Sequence, residues 1–476
     1  MVLSRRWLSG SGQVRSGPSG PSRRKVLAAG AGAGALLALP VMVPASRANA
    51  AVGSAASSDS WYAFLFGVPE SSPYPGGSFQ AAKSPASASA PPAPYQVASK
   101  LASVPVLSPD ATTVAVADVA TASSGAKVTL TLMDKATAAV SKRGTLALAG
   151  LPSDVSILAT PVFAPGTTTV ALVLAITIPG SGGTLRKTDP RTGKVTTGTA
   201  TTWKSHHALA YFDSSSGTFT GPFELSGEPS LALTTVAANG TDLFVWTTPE
   251  PRPADYSKTS QALAPVSTVS AFPLGSGKPR FSAPSLLPWP GGEPVVTLAS
   301  GDIARLVHGR AVQVCSARTG DIVSYTLAPL NVPRPKPSAV TMQARSDGTV
   351  FIAKPGVGTA IVADPADSFR VKSQVSFPVP QAPGSAPWSK AVLSSSGDTL
   401  YVVGGVNSGG VSAYDVSTGA LTASYTSGGL HYGGLSVLPD GNVLAVGPAH
   451  PRLTFFSPTL SRLGDADTSL QIAAVL

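Results

Sequence analysis

The sequence predicts an all-β protein: a β-propeller of about seven four-stranded blades, with eight as the alternative count. Three observations predict it. A phrase of polar turn, apolar strand, second strand and hairpin turn recurs about seven times from Leu101 onward, and self-similarity on this scale marks a propeller or solenoid. The 476 residues include 48 Gly and 44 Pro, with only 12% charged residues. That mixture is rich in turns and poor in the Glu, Lys and Leu of long helices. Several turns also share the form Asp-x-x-[Ser/Thr]-Gly, at 213–217 and 415–419, with Ser for Asp at 316–320. There an Asp oxygen caps backbone amides while Gly takes a left-handed conformation. These aspartates are therefore expected to be structural rather than catalytic.

The chain opens on a basic segment. Ser22-Arg23-Arg24-Lys25-Val26-Leu27 precedes the uncharged run Ala28–Ala45 and then Ala48-Asn49-Ala50. Charged region, apolar region and A-x-A site, in that order, make a signal peptide, with cleavage expected after Ala50. A membrane anchor is the alternative, but the run is Gly-rich, broken by Pro40 and Pro44, and ends in a cleavage site. The pair Arg23-Arg24 resembles the twin-arginine (Tat) export signal S-R-R-x-F-L-K, departing from it at Val26 and Ala28. That resemblance implies a secreted, extracellular protein that folds before export, with room for a cofactor loaded beforehand; a Sec signal is the alternative. The earlier pair Arg5-Arg6 has no apolar core after it.

Residues 51–100 begin with a strand expected at Ser60–Gly67. The Pro-, Ala- and Ser-dense run Ser71–Pro94 then reads as a flexible loop or tether, because it offers little apolar area to bury. The propeller is expected over 101–476.

The turn that follows each inner strand lies at Val106–Asp110, Val162–Gly166, Val236–Gly240, Leu298–Asp302, Gln343–Gly348, Leu393–Asp398 and Val437–Gly441. An apolar strand follows each (VAVAD, VALVLAI, LFVWT, ARLVH, VFIAK, LYVV, VLAV), and another strand follows that. Two excursions lengthen the second and third repeats, Pro179–Lys204 and Thr247–Ala262; the first has its own hairpin-like turn at 189–193. The end strands, Trp61–Gly67 and Thr468–Leu476, either complete the last blade together or make an eighth; seven blades is the favoured count.

The net charge of +10 is mostly an N-terminal effect. Residues 1–50 carry seven basic residues and no acid, leaving 27 bases against 24 acids, about +3, in the rest. A nucleic-acid surface needs clustered base on the folded domain, so no nucleic-acid partner is expected. The single cysteine, Cys315, excludes an internal disulfide and a Cys-rich metal site. It sits in the alternating run Ala311–Ser316 and is expected to be a buried structural thiol.

The segment Thr399–Leu421 resembles a YVTN-type propeller repeat, LYV-x-n-GxVSxxD-x-x-TG. The likeness is fair at Val437–Ser457 and patterned elsewhere, in a WD40-like manner, although no Trp-Asp dipeptide occurs. The resemblance implies a propeller and includes relatives with lactonase-like or cofactor-using oxidoreductase activity. No full catalytic set carries over to this chain.

In propellers, loops joining second to third strands share a face with the connections into the next blade. By that phase His206, His207, His308, His431 and His450 fall on one face with Trp289 and Trp388, a candidate binding face. The sequence contains no Gly-x-Ser-x-Gly elbow, His-Glu-x-x-His or phosphate loop. Arg186, Lys187, Arg191 and Lys194 make a small basic loop, read as a solvated face, with contact to anionic cell-wall polymer as the alternative. The expectation is an exported, non-catalytic monomer that binds an extracellular ligand or protein. A channel-sited enzyme and a wall-associated protein tethered through 71–94 are the alternatives. No resident cofactor is expected, although the channel leaves room for a metal.

Overall fold

The computed structural model describes residues 63–69, 78–82, 95–96, 100–101 and most of 103–475. It leaves out 136–138, 180–182, 189–194, 201–202, 226–230, 250–266, 286–293, 308, 332–339, 380–390, 404–409, 428–431, 448–451, 468–469 and a few single positions. The expected signal peptide, its Arg23, Arg24 and Ala50 included, lies outside the described residues.

The fold is an all-β propeller. The chain enters through β1 (Ala63–Pro69), β2 (Ser78–Ala82) and β3 (Tyr95–Gln96), then builds seven sheets in succession. Blade 1 holds β4 (Lys100–Leu101), β5 (Val106–Leu107), β6 (Thr113–Ala122), β7 (Gly125–Asp134) and β8 (Val140–Ala149). Its first strand is in two pieces, β4 and β5, both paired to β6; between them Ser103 Oγ accepts the Ala117 N–H at 2.8 Å.

Blade 2 holds β9 (Ser156–Phe163) and β10 (Thr169–Pro179), then a separate ribbon of β11 (Gly183–Thr188) and β12 (Val195–Ala200), then β13 (Trp203–Asp213) and β14 (Thr218–Glu224). Blade 3 is β15 (Leu231–Ala238), β16 (Asp242–Pro249), β17 (Ser267–Pro273) and β18 (Phe281–Ser285). Blade 4 is β19 (Val295–Thr297), β20 (Ile303–Val307), β21 (Ala311–Cys315) and β22 (Ile322–Thr326).

Blade 5 is β23 (Thr341–Ala344), β24 (Val350–Lys354), β25 (Thr359–Asp364) and β26 (Arg370–Ser376). Blade 6 is β27 (Ala391–Leu393), β28 (Thr399–Val403), β29 (Val411–Asp415) and β30 (Leu421–Tyr425). Blade 7 is β31 (Gly434–Val437), β32 (Val443–Val446), β33 (Arg452–Phe456) and β34 (Arg462–Asp467). The last strand, β35 (Leu470–Val475), pairs with β1 in a sheet ordered β3-β2-β1-β35.

That last pairing decides between the two arrangements the sequence left open. The terminal strands make a sheet of their own, so blade 8 joins the two ends of the chain. Of the run 71–94, read from sequence as a loop or tether, only 78–82 lies among the described residues. β2 lies inside that run, paired to β1 with Phe79 opposite Phe66. A short polar strand such as β2 relies on its pairing to β1.

Among the described residues, six apolar clusters lie between consecutive blades, and strand alternation builds them. In β24, Val350 and Ile352 face blade 4 while Phe351 and Ala353 face blade 6. In β28, Leu400 and Val402 join the first of the two clusters around blade 6, and Tyr401 and Val403 the second. Second strands are thus buried on both faces, which is why they read as unbroken apolar runs rather than alternating ones. Each fully buried Val, Leu or Phe contributes about 1.5–3 kcal/mol by removal from water. The first strands of neighbouring blades approach one another and lie innermost (β15 with β19, β27 with β31). The outer strands carry edge cations, Lys142 and Arg143 in β8, Arg370 and Lys372 in β26, which discourage pairing with other chains. Cys315 is 2% exposed between blades 3 and 4, and burial with Asp302 nearby pushes its thiol up to about 11.

Candidate binding face

The two ends of the blades differ in chemistry. At one end of blades 1–7 every connection runs three to seven residues. These are the predicted turns. Asp415 Oδ1 accepts Thr418 N–H at 2.7 Å, and Gly419 has φ 72°. Asp213 Oδ1 accepts Ser215 N–H at 2.9 Å, and Gly217 has φ 78°. Hydrogen bonds from the Ser417 hydroxyl and Thr418 hold the Asp415 carboxyl down to about 2. Carboxylates stabilised this way are turn braces and weak proton acceptors.

At the opposite end the longer connections span 180–202, 250–266, 286–294, 327–340, 377–390 and 404–410, although β6–β7, β20–β21 and β24–β25 turn within two to four residues. This is the end where the candidate residues were expected. His308, His431, His450, Trp289 and Trp388 lie outside the described residues. His206 and His207 are described, and they sit within β13, near its loop end, rather than in a loop. Consecutive strand residues take opposite faces. His207 shares its face with Leu209 and Tyr211, between blades 2 and 3; His206 shares the other, with Ala208 and Ala210. His207 is 8% exposed, and burial, with His206 adjacent, holds its pKa below the usual imidazole value. The two rings therefore do not converge on one ion. Among the described residues, no group of three or more His, Cys, Asp or Glu is placed to hold a metal.

Two buried cations underlie this end, and neither was singled out from sequence. Lys354, the last residue of β24, donates from Nζ to Gly309 O at 2.8 Å and Leu330 O at 3.1 Å. Leu330 closes a 3-10 turn, Ala328–Leu330, in the connection from blade 4 to blade 5. Burial, with Arg310 nearby, lowers the Lys354 pKa. One ammonium thus ties the β20–β21 turn and the start of a 14-residue connection to blade 5.

The second cation is Arg305, in the middle of β20 and fully buried between blades 3 and 4. Its Nη2 donates to Ser285 Oγ at 3.0 Å and Gln313 Oε1 at 3.1 Å, and Ser285 donates to the same Gln313 oxygen at 2.7 Å. The guanidinium carbon stands 5.5 Å from the Trp246 ring, in range for a cation–π attraction. Ser285 ends β18, where the connection 286–294 departs. The sequence signal was there to read: a lone charge inside IARLV, a run whose apolar pattern puts both faces in the core.

The sequence matches no protein-family model, and no curated protein matches it. Solved structures share the fold. The dihydro-heme d1 dehydrogenase NirN, in complex with DHE, superposes with a TM-score of 0.50 over 88% of this chain and 75% of its own, at 13% identity. The C-terminal WD40 domain of Sif2 gives 0.44 over 80% of this chain and 93% of its own, at 11% identity. The Dos1 propeller gives 0.42 over 71% and 72%, at 12% identity. At such identities the likeness concerns the fold, and a propeller fold hosts many functions.

Proposed function

We propose that residues 51–476 are exported under the twin-arginine-type segment 1–50 and act outside the cell as a non-catalytic binding module. The ligand or partner protein is held at the long-loop end. One observation carries this reading: turns at one end never exceed seven residues in blades 1–7, whereas connections at the other reach 23. Long connections on a rigid scaffold are where binding residues concentrate. Lys354 and Arg305 brace the scaffold beneath those connections.

A second reading, a propeller enzyme, draws support from NirN, a dehydrogenase solved with DHE bound. Among the described residues, no cluster of His, Cys, Asp or Glu is placed to hold a metal for it.

The experiment is to purify residues 51–476 from a secreting host and measure metal content and visible absorbance after a chelator wash. The same protein is then used to capture envelope fractions. The binding module predicts metal-free, colourless protein that retains an envelope component. A stoichiometric metal or chromophore moves the assignment to the enzyme. The signal is checked by replacing Arg23-Arg24 with Lys-Lys, which is expected to abolish export.

A further inference from the structure

The outer strands of blades 1–7 are guarded against pairing with other chains, with one exception. β8 carries Lys142 and Arg143, β26 carries Arg370 and Lys372, and β34 carries Arg462 and Asp465; the ladder of each also has a register shift. β14 has Pro222 and a register shift, β18 has Pro284, and β30 has a register shift. Charges, prolines and bulges are the usual protections of a sheet edge. β22 has none of them. Its five residues are Ile322, Val323, Ser324, Tyr325 and Thr326, and its ladder to β21 runs unshifted.

The phase of that ladder is fixed at both ends. Ser316 N–H donates to Asp321 O and Leu327 N–H to Arg310 O, each at 2.8 Å. Bonded and non-bonded pairs alternate in an antiparallel ladder, so Val323 and Tyr325 bond inward to β21. The N–H and C=O groups of Ile322, Ser324 and Thr326 point out from the rim, and no described residue bonds them. Packing anchors the strand from behind. The Tyr325 ring lies 5.2 Å from Phe369 of blade 5, and Ile322 packs on the cluster between blades 3 and 4. Val323, by contrast, is 50% exposed.

We infer that β22 pairs antiparallel with β22 of a second copy of this chain, about a twofold axis at Ser324, in place of the monomer expected from sequence. In that register Ser324 meets the partner's Ser324, Ile322 meets the partner's Thr326, and Val323 meets the partner's Tyr325. The last two pairs join β-branched residues to β-branched or aromatic ones, a favourable cross-strand combination. Charge is complementary too. The ladder row that holds Arg310 and Leu327 continues to the partner's Asp321, and Arg310 and Asp321 are both exposed. With strands about 4.8 Å apart, the two lie about 10 Å apart along the backbone row, on one face of the joined sheet and within an arginine's reach. The twofold repeats the pair, which favours a second copy over a foreign peptide. β22 runs from the short-turn end to the long-loop end, so the pairing turns one propeller over and sends the two long-loop ends opposite ways. The inference goes beyond the binding-module reading and does not depend on it.

The test is sedimentation velocity on residues 51–476 over a dilution series. The parent is expected to form a dimer that dissociates on dilution. Ser324→Pro deletes an outward N–H at a position where an edge strand accepts proline. The monomer is therefore expected to keep its melting temperature while the dimer weakens at least tenfold. Ser324→Val keeps the N–H and is expected to dimerise like the parent. Arg310→Asp and Asp321→Arg are each expected to weaken the dimer severalfold, and the double variant to recover it. A parent that stays monomeric at every concentration overturns the inference. A dimer unmoved by Ser324→Pro places the contact elsewhere and overturns it as well. So does a charge-swapped double variant no tighter than either single one, and that comparison decides alone should Ser324→Pro melt early. None of these outcomes bears on metal content or envelope capture, which test the binding module separately.

Discussion

The Lys354 ammonium stands 2.8 Å from the Gly309 carbonyl oxygen, across the seam between blades 4 and 5. Gly309 has φ 60°, and a Cβ there would lie 3.1 Å from Lys354 Nζ. The glycine therefore permits both the turn and the approach. Lys354→Met keeps the apolar stem but removes the donor from the Gly309 and Leu330 carbonyls. Leaving such groups unsatisfied costs about 1–3 kcal/mol. Urea unfolding of the variant should show a loss in that range, with the fold retained; an unchanged midpoint would show that the staple carries no weight.

Arg305 allows a sharper comparison. Removing the buried charge and removing one of its acceptors differ in consequence, because only the second keeps the charge buried with fewer hydrogen bonds. Arg305→Met is expected to be mild, while Gln313→Leu should cost about 1.5–3 kcal/mol, the worth of a hydrogen bond to a charged group. Denaturant midpoints for the pair decide the matter, and the order Arg305→Met worse than Gln313→Leu would contradict it.

His207 makes stability depend on pH. Its folded pKa is depressed by burial and by the neighbouring His206. Between the folded value and 6.5 the unfolded chain binds more protons, so stability rises with pH through that window and falls as pH drops below 6.5. Melting temperatures taken from pH 7.5 to pH 5 should decline for the parent and decline less for His207→Gln. Parallel curves would remove His207 from the account.

Packing between blades sets the largest single effects. Phe351, fully buried between blades 5 and 6, should cost about 3–5 kcal/mol when changed to Ala. Val323, half-exposed on the outer strand of blade 4, should stay within about 0.5 kcal/mol. Chemical unfolding of the two variants measures the contrast.

Much of this architecture was readable from local signals. The seven turn phrases each became the link from a first to a second strand, because turn chemistry and apolar runs are determined within a few residues. Blade 8 was not readable in the same way, since β1 and β35 pair across some 400 residues and no local pattern records that partnership. β2 was hidden for a different reason: it pairs locally with β1, but its five residues lie in a Pro-, Ala- and Ser-dense run with no apolar alternation. His207 lies near the long-loop end of β13, and its burial depends on blade 3, which no local pattern records. Lys354 and Arg305 were passed over because a single charge ending or interrupting an apolar run has no meaning until its carbonyl and amide partners are brought in from other strands.

Removing residues 470–476 should be more damaging than their small number suggests. Without β35, β1 loses one of its two partners and blade 8 loses its connection to the C-terminus. Limited proteolysis should then cut within 63–96 at protease levels the full chain resists.

The pairing of Leu65 with Val475 gives folding a late step. β35 leaves the ribosome some 400 residues after β1, so the blades between them can form before β1 meets this partner. Closure of the ring therefore follows the making of the blades it joins.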